Sequence, residues 1–220
     1  MSEVSDPIFA KIARRYDRIN RILSLGQERR WRSVGVEMLG PGRVLDLGSG
    51  TGDADFGDRQ VIGLDPVIEM LALSSAQARV VAVGESLPLA DEAVDGVFSA
   101  FVFRNLTSVD DTLAEIERVL KPGAAAIVVD LGRPPNSVLR WLHRIGTAVV
   151  LPLVGLLFGG APGEYWYLHT TLDSLPQPEE LYAGRSLTLE SVWRSGLFGF
   201  VYGVRLRKPP TALEKEPEAA

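Results

Sequence analysis

The chain has 220 residues, of which 46% are hydrophobic, so it can bury one full-sized core and is not a disordered chain. It contains no cysteine, which excludes disulfides and thiol nucleophiles, and its two histidines are too few for a histidine-based metal centre, so we expect no metal. The net charge of −5 argues against a nucleic-acid partner, and the acidic residues 1–6 are unlike a signal peptide, so we expect a cytoplasmic protein.

The first predicted element is a helical segment over residues 7–39. Its apolar side chains recur at helical spacing, with arginines between them. This pattern predicts one or two amphipathic helices, interrupted at Gly26. Two interpretations stay open: a lid over an active site, or a helix that packs on the core and exposes a basic face to water.

Residues 42–131 alternate short apolar runs with helical patterns. Continuous apolar strands that alternate with helices predict a parallel, doubly wound sheet. The predicted strands cover residues 43–47, 61–64, 80–83, 94–100 and 125–131, and the predicted helices cover about 67–77 and 108–120. Between the first two strands, residues 53–60 leave room for two helical turns at most.

Residues 132–185 form the next predicted unit, a small helical cap. Within it, residues 145–163 carry no charge and approach the length that spans a bilayer. Pro152, Pro162 and five glycines make this run a poor straight helix, so we expect an apolar cap instead of a membrane span. Contact with a membrane surface is the alternative.

The C-terminal part of the chain is a predicted hairpin. Two strand-like segments within residues 186–208 flank a plausible turn at 195–197. Residues 211–220 are polar and are predicted to be a flexible tail. We therefore expect a single domain over residues 1–210.

A glycine-rich loop, DLGSGTGD at 46–53, follows the first predicted strand. Glycine lets the backbone turn sharply and approach a ligand closely. Asp53 stands where the dinucleotide fingerprint G-x-G-x-x-G has its third glycine, which argues against NAD. Asp65 ends the second predicted strand, where a carboxylate can accept both hydroxyls of a ribose. The loop resembles the S-adenosylmethionine loop of class I methyltransferases.

Six further motifs are spread over residues 7–208. They are YDRINRILS at 16–24 with Trp31, ESLPL at 85–89, FRNL at 103–106, RVLKPG at 118–123, YWYL at 165–168 and PQPEEL at 176–181. Together with the glycine loop, these motifs resemble the ubiquinone/menaquinone-biosynthesis C-methyltransferases (the UbiE family). The tyrosine–aspartate and arginine–asparagine motifs are much more specific than the glycine loop.

This resemblance implies an α/β, Rossmann-like class I methyltransferase fold, with a mostly parallel seven-stranded sheet and an antiparallel last strand. It also implies methyl transfer from S-adenosylmethionine to a ring carbon of a prenylated demethylquinol. Peripheral membrane contact, and a monomer or a homodimer, stay open. The residues expected to hold the cofactor are Asp46, Gly48, Ser49, Gly50, Thr51, Asp65, Pro66, Val83, Gly84 and Glu85.

The expected catalytic residues are Arg104, Asn105 and Tyr16. By resemblance, Arg104 and Asn105 face the acceptor and the reacting methyl group. Arg104 can stabilise a phenolate or orient a water that takes the phenolic proton. The base that takes the phenolic proton is left open among Tyr16, Asp17, His143, Tyr165 and His169.

The sequence departs from the family at several positions. Val83 replaces a usual Asp or Asn, Glu28 replaces a usual His, Asp130 replaces a usual Glu, and the first helix is short. Two alternatives therefore stay open beside quinol methylation. One is methyl transfer to another small apolar acceptor, and the other is a methyltransferase-like binding protein without catalysis.

Overall fold

The chain folds around a seven-stranded sheet. The computed structural model describes residue 21 and residues 24–158, 170, 172–173 and 175–211. Its strands are β1 (Arg43–Leu47), β2 (Gln60–Asp65), β3 (Ala78–Val81), β4 (Val94–Ala100), β5 (Leu120–Leu131), β6 (Thr188–Ser195) and β7 (Val201–Arg207). Its helices are α1 (Glu28–Glu37), α2 (Ile68–Leu71), α3 (Val109–Val119), α4 (Ser137–Phe158) and α5 (Pro178–Leu181), with 3-10 turns at Phe103–Asn105 and Leu197–Gly199.

The strands lie in the order β3-β2-β1-β4-β5-β7-β6, and the neighbouring pairs from β3 to β5 are parallel. Strand β7 runs antiparallel to both of its neighbours, β5 and β6. This confirms the predicted fold class, a mostly parallel sheet with an antiparallel last strand. Ligands of such sheets bind beyond the carboxyl ends of the strands, where the strand order reverses. Here the reversal falls between β1 and β4, so the loops after these two strands flank the predicted site.

Both faces of the sheet are buried. Along β1 and β4, alternate side chains enter different hydrophobic clusters, with Leu45 and Val97 on one face and Val44 and Phe98 on the other. Helix α3 contributes to the first cluster and α1 to the second. Helix α1 comes very close to the sheet, because a Cβ on Gly35 would lie 2.8 Å from the Phe98 ring. Burial on both faces explains why these strands are continuous apolar runs in the sequence.

The connection from β1 to β2, residues 48–59, contains no helix, so the short helix that the sequence left room for does not form. Phe56 covers the sheet in its place, with its ring centroid 5.6 Å from that of Phe98. Arg59 holds the loop by donating to the carbonyls of Leu39, Gly40 and Phe56. These bonds fix the loop to the segment that follows α1 and give the carbonyl of Phe56 a partner.

Helix α2 is shorter than the helix predicted over 67–77, since it ends at Leu71. Ser74 explains the early end, because its hydroxyl accepts a hydrogen bond from the N–H of Ala76 at 3.2 Å in competition with a helical bond. Arg79 then donates to the carbonyls of Leu71 and Ser74, both at 3.3 Å, and satisfies acceptors at the helix end.

Helix α4 continues through Pro152, so the expectation of a poor helix is wrong for this part of the cap. A proline removes one backbone donor, and here the helix tolerates this loss over its 22 residues. Within the part of the chain that the structure describes, no helix has the length and apolarity needed to cross a bilayer. Outside the described residues lie 7–20 and 22–23 of the predicted lid, residues 159–169 and the tail after residue 211.

Candidate functional site

The glycine loop after β1 is fixed to the end of β2. Gly48 and Ser49 both donate their backbone N–H to the carbonyl of Leu64, at 2.8 and 2.9 Å. Gly50 donates its N–H to Oδ2 of Asp65 at 2.9 Å. The structure thus brings together the loop and the acid that the sequence analysis singled out.

Gly48 is the loop position where glycine is required most clearly. Its φ of +71° lies in the left-handed region. A Cβ at this position would lie 2.2 Å from Cγ2 of Val102, which follows β4. The loop backbone therefore approaches the end of β4 more closely than another residue type would allow. Thr51, another predicted cofactor residue, is half-buried in the same loop.

The Asp65 carboxylate is buried and accepts two backbone hydrogen bonds. Its Oδ1 accepts from the N–H of Val67 at 2.8 Å and its Oδ2 accepts from Gly50. Burial raises the pKa of this carboxyl, and the two hydrogen bonds act in the opposite direction. Each oxygen carries two lone pairs, so these bonds leave acceptor capacity for the hydroxyls of a ribose.

Asp46, the last polar residue of β1, is buried and lines a polar cavity beside the loop. Burial raises the pKa of Asp46 to about 6, whereas the Ser49 hydroxyl and the charge of Arg32 act in the opposite direction. The negative charge of Asp65 adds to the increase. A positive group of a ligand at this position would be stabilised by both carboxylates.

Three other predicted cofactor residues lie at the same edge of the sheet. Val81, the last residue of β3, pairs with Asp65, and Val83 and Gly84 come two and three residues after it. Pro66 follows β2 and is half-buried. The parallel register of β2 and β3 therefore places the ends of both strands beside the glycine loop.

Glu85 holds the backbone at the start of α3. Its Oε1 accepts hydrogen bonds from the N–H groups of Thr107 and Ser108, at 2.8 and 3.1 Å. Ser108 in turn caps the helix. These bonds give Glu85 a structural task, and its contact with a cofactor stays a prediction.

An apolar cleft of about 520 Å³ lies between α1, α4 and the turn from β6 to β7. Its volume lies in the range of small-molecule sites. The aromatic side chains of Trp31, Phe101 and Phe200 form part of its wall. Trp31 meets the rings of Phe101 and Phe200 edge-on, at 6.4 and 5.9 Å between centroids. Such a wall suits a flat aromatic guest.

Arg104, a predicted catalytic residue, lines this cleft and forms a buried ion pair. Its Nη1 lies 2.5 Å from Oδ1 of Asp130, and the two side chains are 10% and 0% exposed. Asp130 also accepts the backbone N–H of Arg104 at 3.3 Å and that of Leu131 at 2.7 Å. Asn105 lies in the same 3-10 turn and donates to the carbonyl of Phe101 at 3.4 Å.

His143 also lines the cleft, and its ring stacks on Phe200 at 5.3 Å between centroids. Its Nδ1 lies 3.4 Å from Nη1 of Arg133. A guanidinium only donates, so this contact favours a neutral ring that accepts at Nδ1 and carries its proton on Nε2. The basic nitrogen of such a ring is engaged by Arg133, which argues against His143 as the base. The other candidates, Tyr16, Asp17, Tyr165 and His169, lie outside the described residues.

Two charged residues of α1 that the sequence analysis did not assign to the site also line the cleft, Glu28 and Arg32. Glu28 is buried, and its carboxylate accepts a hydrogen bond from the Ser24 hydroxyl. The guanidinium of Arg32 lies over the Phe101 ring, 5.0 Å from its centroid. Residues four apart share one face of a helix, and this spacing around Trp31 is the signal that could have identified them.

Comparison with known proteins identifies the family. The model of the ubiE/COQ5 methyltransferase family matches residues 2–186. The chain belongs to this family. It is 37% identical over 193 residues to the demethylmenaquinone methyltransferase of Thermus thermophilus, covering 80% of this chain and 88% of that relative. It is 39% identical over 188 residues to the ubiquinone/menaquinone biosynthesis C-methyltransferase UbiE of Syntrophotalea carbinolica, covering 77% and 78% of the two chains.

Solved structures give the fold of this ubiE/COQ5 methyltransferase independently. A SAM-dependent methyltransferase from Thermotoga maritima matches with a TM-score of 0.65 and 19% identity, covering 91% of this chain and 98% of the other. A SAM-dependent methyltransferase from Aquifex aeolicus matches with a TM-score of 0.55 and 20% identity, covering 90% and 97%. At these identities the likeness shows the class I methyltransferase fold alone.

Proposed function

We propose that this ubiE/COQ5 family member transfers a methyl group from S-adenosylmethionine to a ring carbon of a demethylmenaquinol-type acceptor. The T. thermophilus relative is named for that reaction. The observation that carries the proposal is the adjacency of two features. The segment after β4 packs on the glycine loop through Val102, and two residues later Arg104 enters the apolar, aromatic cleft.

The residues around the glycine loop fit the cofactor. Asp65 offers lone pairs to the ribose hydroxyls, and Gly48 permits a close approach of the backbone. Burial and Asp65 disfavour the ionised form of Asp46, and the ammonium of the amino-acid end would stabilise it as a carboxylate. When bound, S-adenosylmethionine supplies an already electrophilic methyl group, so the chain mainly has to align the acceptor and control its proton.

Arg104 orients and activates the acceptor. A guanidinium beside a phenolic hydroxyl favours the ionised form, which raises the electron density on the ring carbon that is methylated. Asp130 holds the guanidinium in place through the buried ion pair. The aromatic wall of Trp31, Phe101 and Phe200 keeps water away from the reacting carbon.

Methyl transfer is tested with the purified protein, S-adenosylmethionine and a reduced demethylmenaquinone analogue. We expect a product whose mass is increased by one methylene unit, and calorimetry to detect cofactor binding. If this acceptor is inert while another small phenol is methylated, the chain acts on a different apolar acceptor. If folded protein binds no cofactor, the proposal is wrong and the chain is a methyltransferase-like binding protein.

A strip of exposed apolar side chains on α4 lies next to the cleft. Its members, each 46–63% exposed, are Val138, Trp141, Leu142, Ile145, Val149, Val150 and Leu153. Leu142 and Val150 also line the cleft, so the strip and the cleft are continuous. A prenylated acceptor partitions into lipid. We therefore propose that the strip rests on a membrane surface and that the prenyl tail enters the cleft from there.

Co-sedimentation with vesicles that contain anionic lipid tests this contact. A variant that combines Ile145→Glu and Val149→Glu should bind vesicles much more weakly than the wild type, because two charges would have to enter the interface. Leu73→Glu places a charge at an exposed apolar residue outside the strip and should bind like the wild type. Equal binding of all three proteins would exclude the strip as the membrane-binding surface.

A further inference from the structure

Among the described residues, Arg32 has a buried nitrogen to which no hydrogen bond is assigned. Its Nη1 is shielded from solvent and makes no hydrogen bond to any described residue. The face of the guanidinium is occupied, since it lies over the Phe101 ring at 5.0 Å. Leaving a buried donor unpaired destabilises the protein, and the effect is larger for a charged group. A ligand that brings an acceptor to Nη1 would remove this cost.

Arg32 lies between two cavities. It lines the apolar cleft beside Phe101, and it also lines a polar cavity of about 590 Å³ beside the glycine loop. Asp46 and Ser49 line the polar cavity too. Arg32 therefore lies at the boundary between the residues proposed to hold the cofactor and those proposed to hold the acceptor.

The neighbouring charge determines which anion Arg32 can accept. The charges of Arg32 and Asp46 interact. A lone anion, such as a phenolate from the acceptor, would be attracted by Arg32 and repelled by Asp46. An α-amino acid group carries both charges, so its carboxylate can face Arg32 while its ammonium faces Asp46. The pair of side chains complements this zwitterion better than it complements a simple anion.

We propose that Arg32 binds the carboxylate at the amino-acid end of the cofactor. This inference rests on the proposed use of S-adenosylmethionine. A planar guanidinium can give a carboxylate two parallel hydrogen bonds. Phe101 supports one face of that plane and limits its rotation. Helix α1 thereby contributes a ligand-binding residue of its own to the cofactor site.

Calorimetry with two ligands tests the assignment. One is S-adenosylhomocysteine, and the other is its decarboxylated analogue, which keeps the thioether and the amine. For Arg32→Met, we expect binding of S-adenosylhomocysteine to weaken by about 10- to 100-fold, the range of a charge-assisted hydrogen bond. The affinity for the decarboxylated analogue should change little. Arg32→Lys keeps the charge but not the planar guanidinium. Its affinity for S-adenosylhomocysteine should therefore lie between those of the wild type and Arg32→Met.

Arg30→Met is the matched control, because Arg30 is exposed on the same helix and lines neither cavity. It should bind both ligands like the wild type. Thermal unfolding of each variant confirms that the proteins compared are folded.

Two results would overturn the role of Arg32. The first is an equal loss for both ligands in Arg32→Met, because the effect would then not depend on the carboxylate. The second is unchanged binding of S-adenosylhomocysteine with a raised KM for the acceptor, which would assign Arg32 to the acceptor. If the wild-type protein binds neither ligand, the proposed cofactor is wrong and the inference fails with it.

Discussion

Breaking the buried ion pair between Arg104 and Asp130 should lower the free energy of unfolding by an amount that can be worked out from its burial. Asp130→Ala leaves the guanidinium, which is 10% exposed, without its counter-charge. Removing one partner of a buried pair costs about 3–5 kcal/mol. We expect the lower end, about 3 kcal/mol, because Arg104 lines an open cleft and its side chain can turn towards water.

A loss of this size should be easy to measure. It is a large part of the about 5–15 kcal/mol that separates folded from unfolded domains. For a domain of this length, 1 kcal/mol shifts the Tm by about 2–4 °C, so the variant should melt about 6–12 °C below the wild type. Thermal unfolding gives the Tm, and urea unfolding gives the free energy of unfolding.

An exposed pair provides the control. Asp91 lies 2.8 Å from Arg118 but is 76% exposed, so Asp91→Ala should change the free energy of unfolding by less than about 1 kcal/mol. Combining Arg104→Met with Asp130→Ala removes both charges and should recover much of the stability that Asp130→Ala loses. Equal Tm shifts for the two aspartate variants, or a double variant less stable than Asp130→Ala, would refute the reasoning.

Three further predictions concern the glycine loop and the acceptor. Gly48→Ala should lower the free energy of unfolding by at least about 1–2 kcal/mol through its positive φ, and further through a clash of the new Cβ with Val102. Adding Val102→Ala should relieve the clash, as thermal unfolding of the single and double variants would reveal. Asp65→Ala should weaken cofactor binding by at least about 100-fold in calorimetry, because the ribose hydroxyls lose their acceptor and the glycine loop loses its bond from Gly50. Arg104→Ala should keep that affinity and lower turnover, and similar effects of both variants on binding would contradict this division. Because burial raises the pKa of Asp46 from 3.8 to about 6, the folded state holds this proton more tightly than the unfolded state, and stability falls as pH rises. Between pH 4 and 7 the wild type should lose about 2 kcal/mol of its free energy of unfolding relative to Asp46→Asn in urea unfolding, and parallel curves would contradict the shift.

The sheet could be predicted from the sequence because its strands are short, continuous apolar runs. The fourth predicted strand, 94–100, coincides with β4, and the helix predicted over 108–120 differs from α3 by one residue at each end. Ser108 supplies the capping signal there, since its side chain accepts the N–H of Asp111 at 3.2 Å. Local patterns of this kind depend on neighbours in sequence, so they can be read without knowing the fold.

The features that the sequence did not predict depend on contacts between distant segments. In the crossover after β1, Phe56 covers the sheet and Arg59 fixes the loop through the carbonyls of residues 39 and 40. No local sequence pattern predicts that such contacts replace a helix. Arg104 was predicted to face the acceptor, but its partner Asp130 lies 26 residues away. Arg32 was missed because a basic residue on an amphipathic helix normally faces water, and its burial depends on Phe101.

The crossover of residues 48–59 also has a consequence for engineering. The two strands that it joins, β1 and β2, pair without a break from Arg43 opposite Gln60 to Leu47 opposite Leu64. Their pairing therefore does not require a helix in the connection. At its exposed tip, a Cβ on Gly57 would meet nothing within 4 Å. Exposed loop tips of this kind are the sites where proteins best tolerate inserted residues. A reporter peptide or a longer helix could therefore be spliced in beside Gly57 while the arrangement of the strands is preserved.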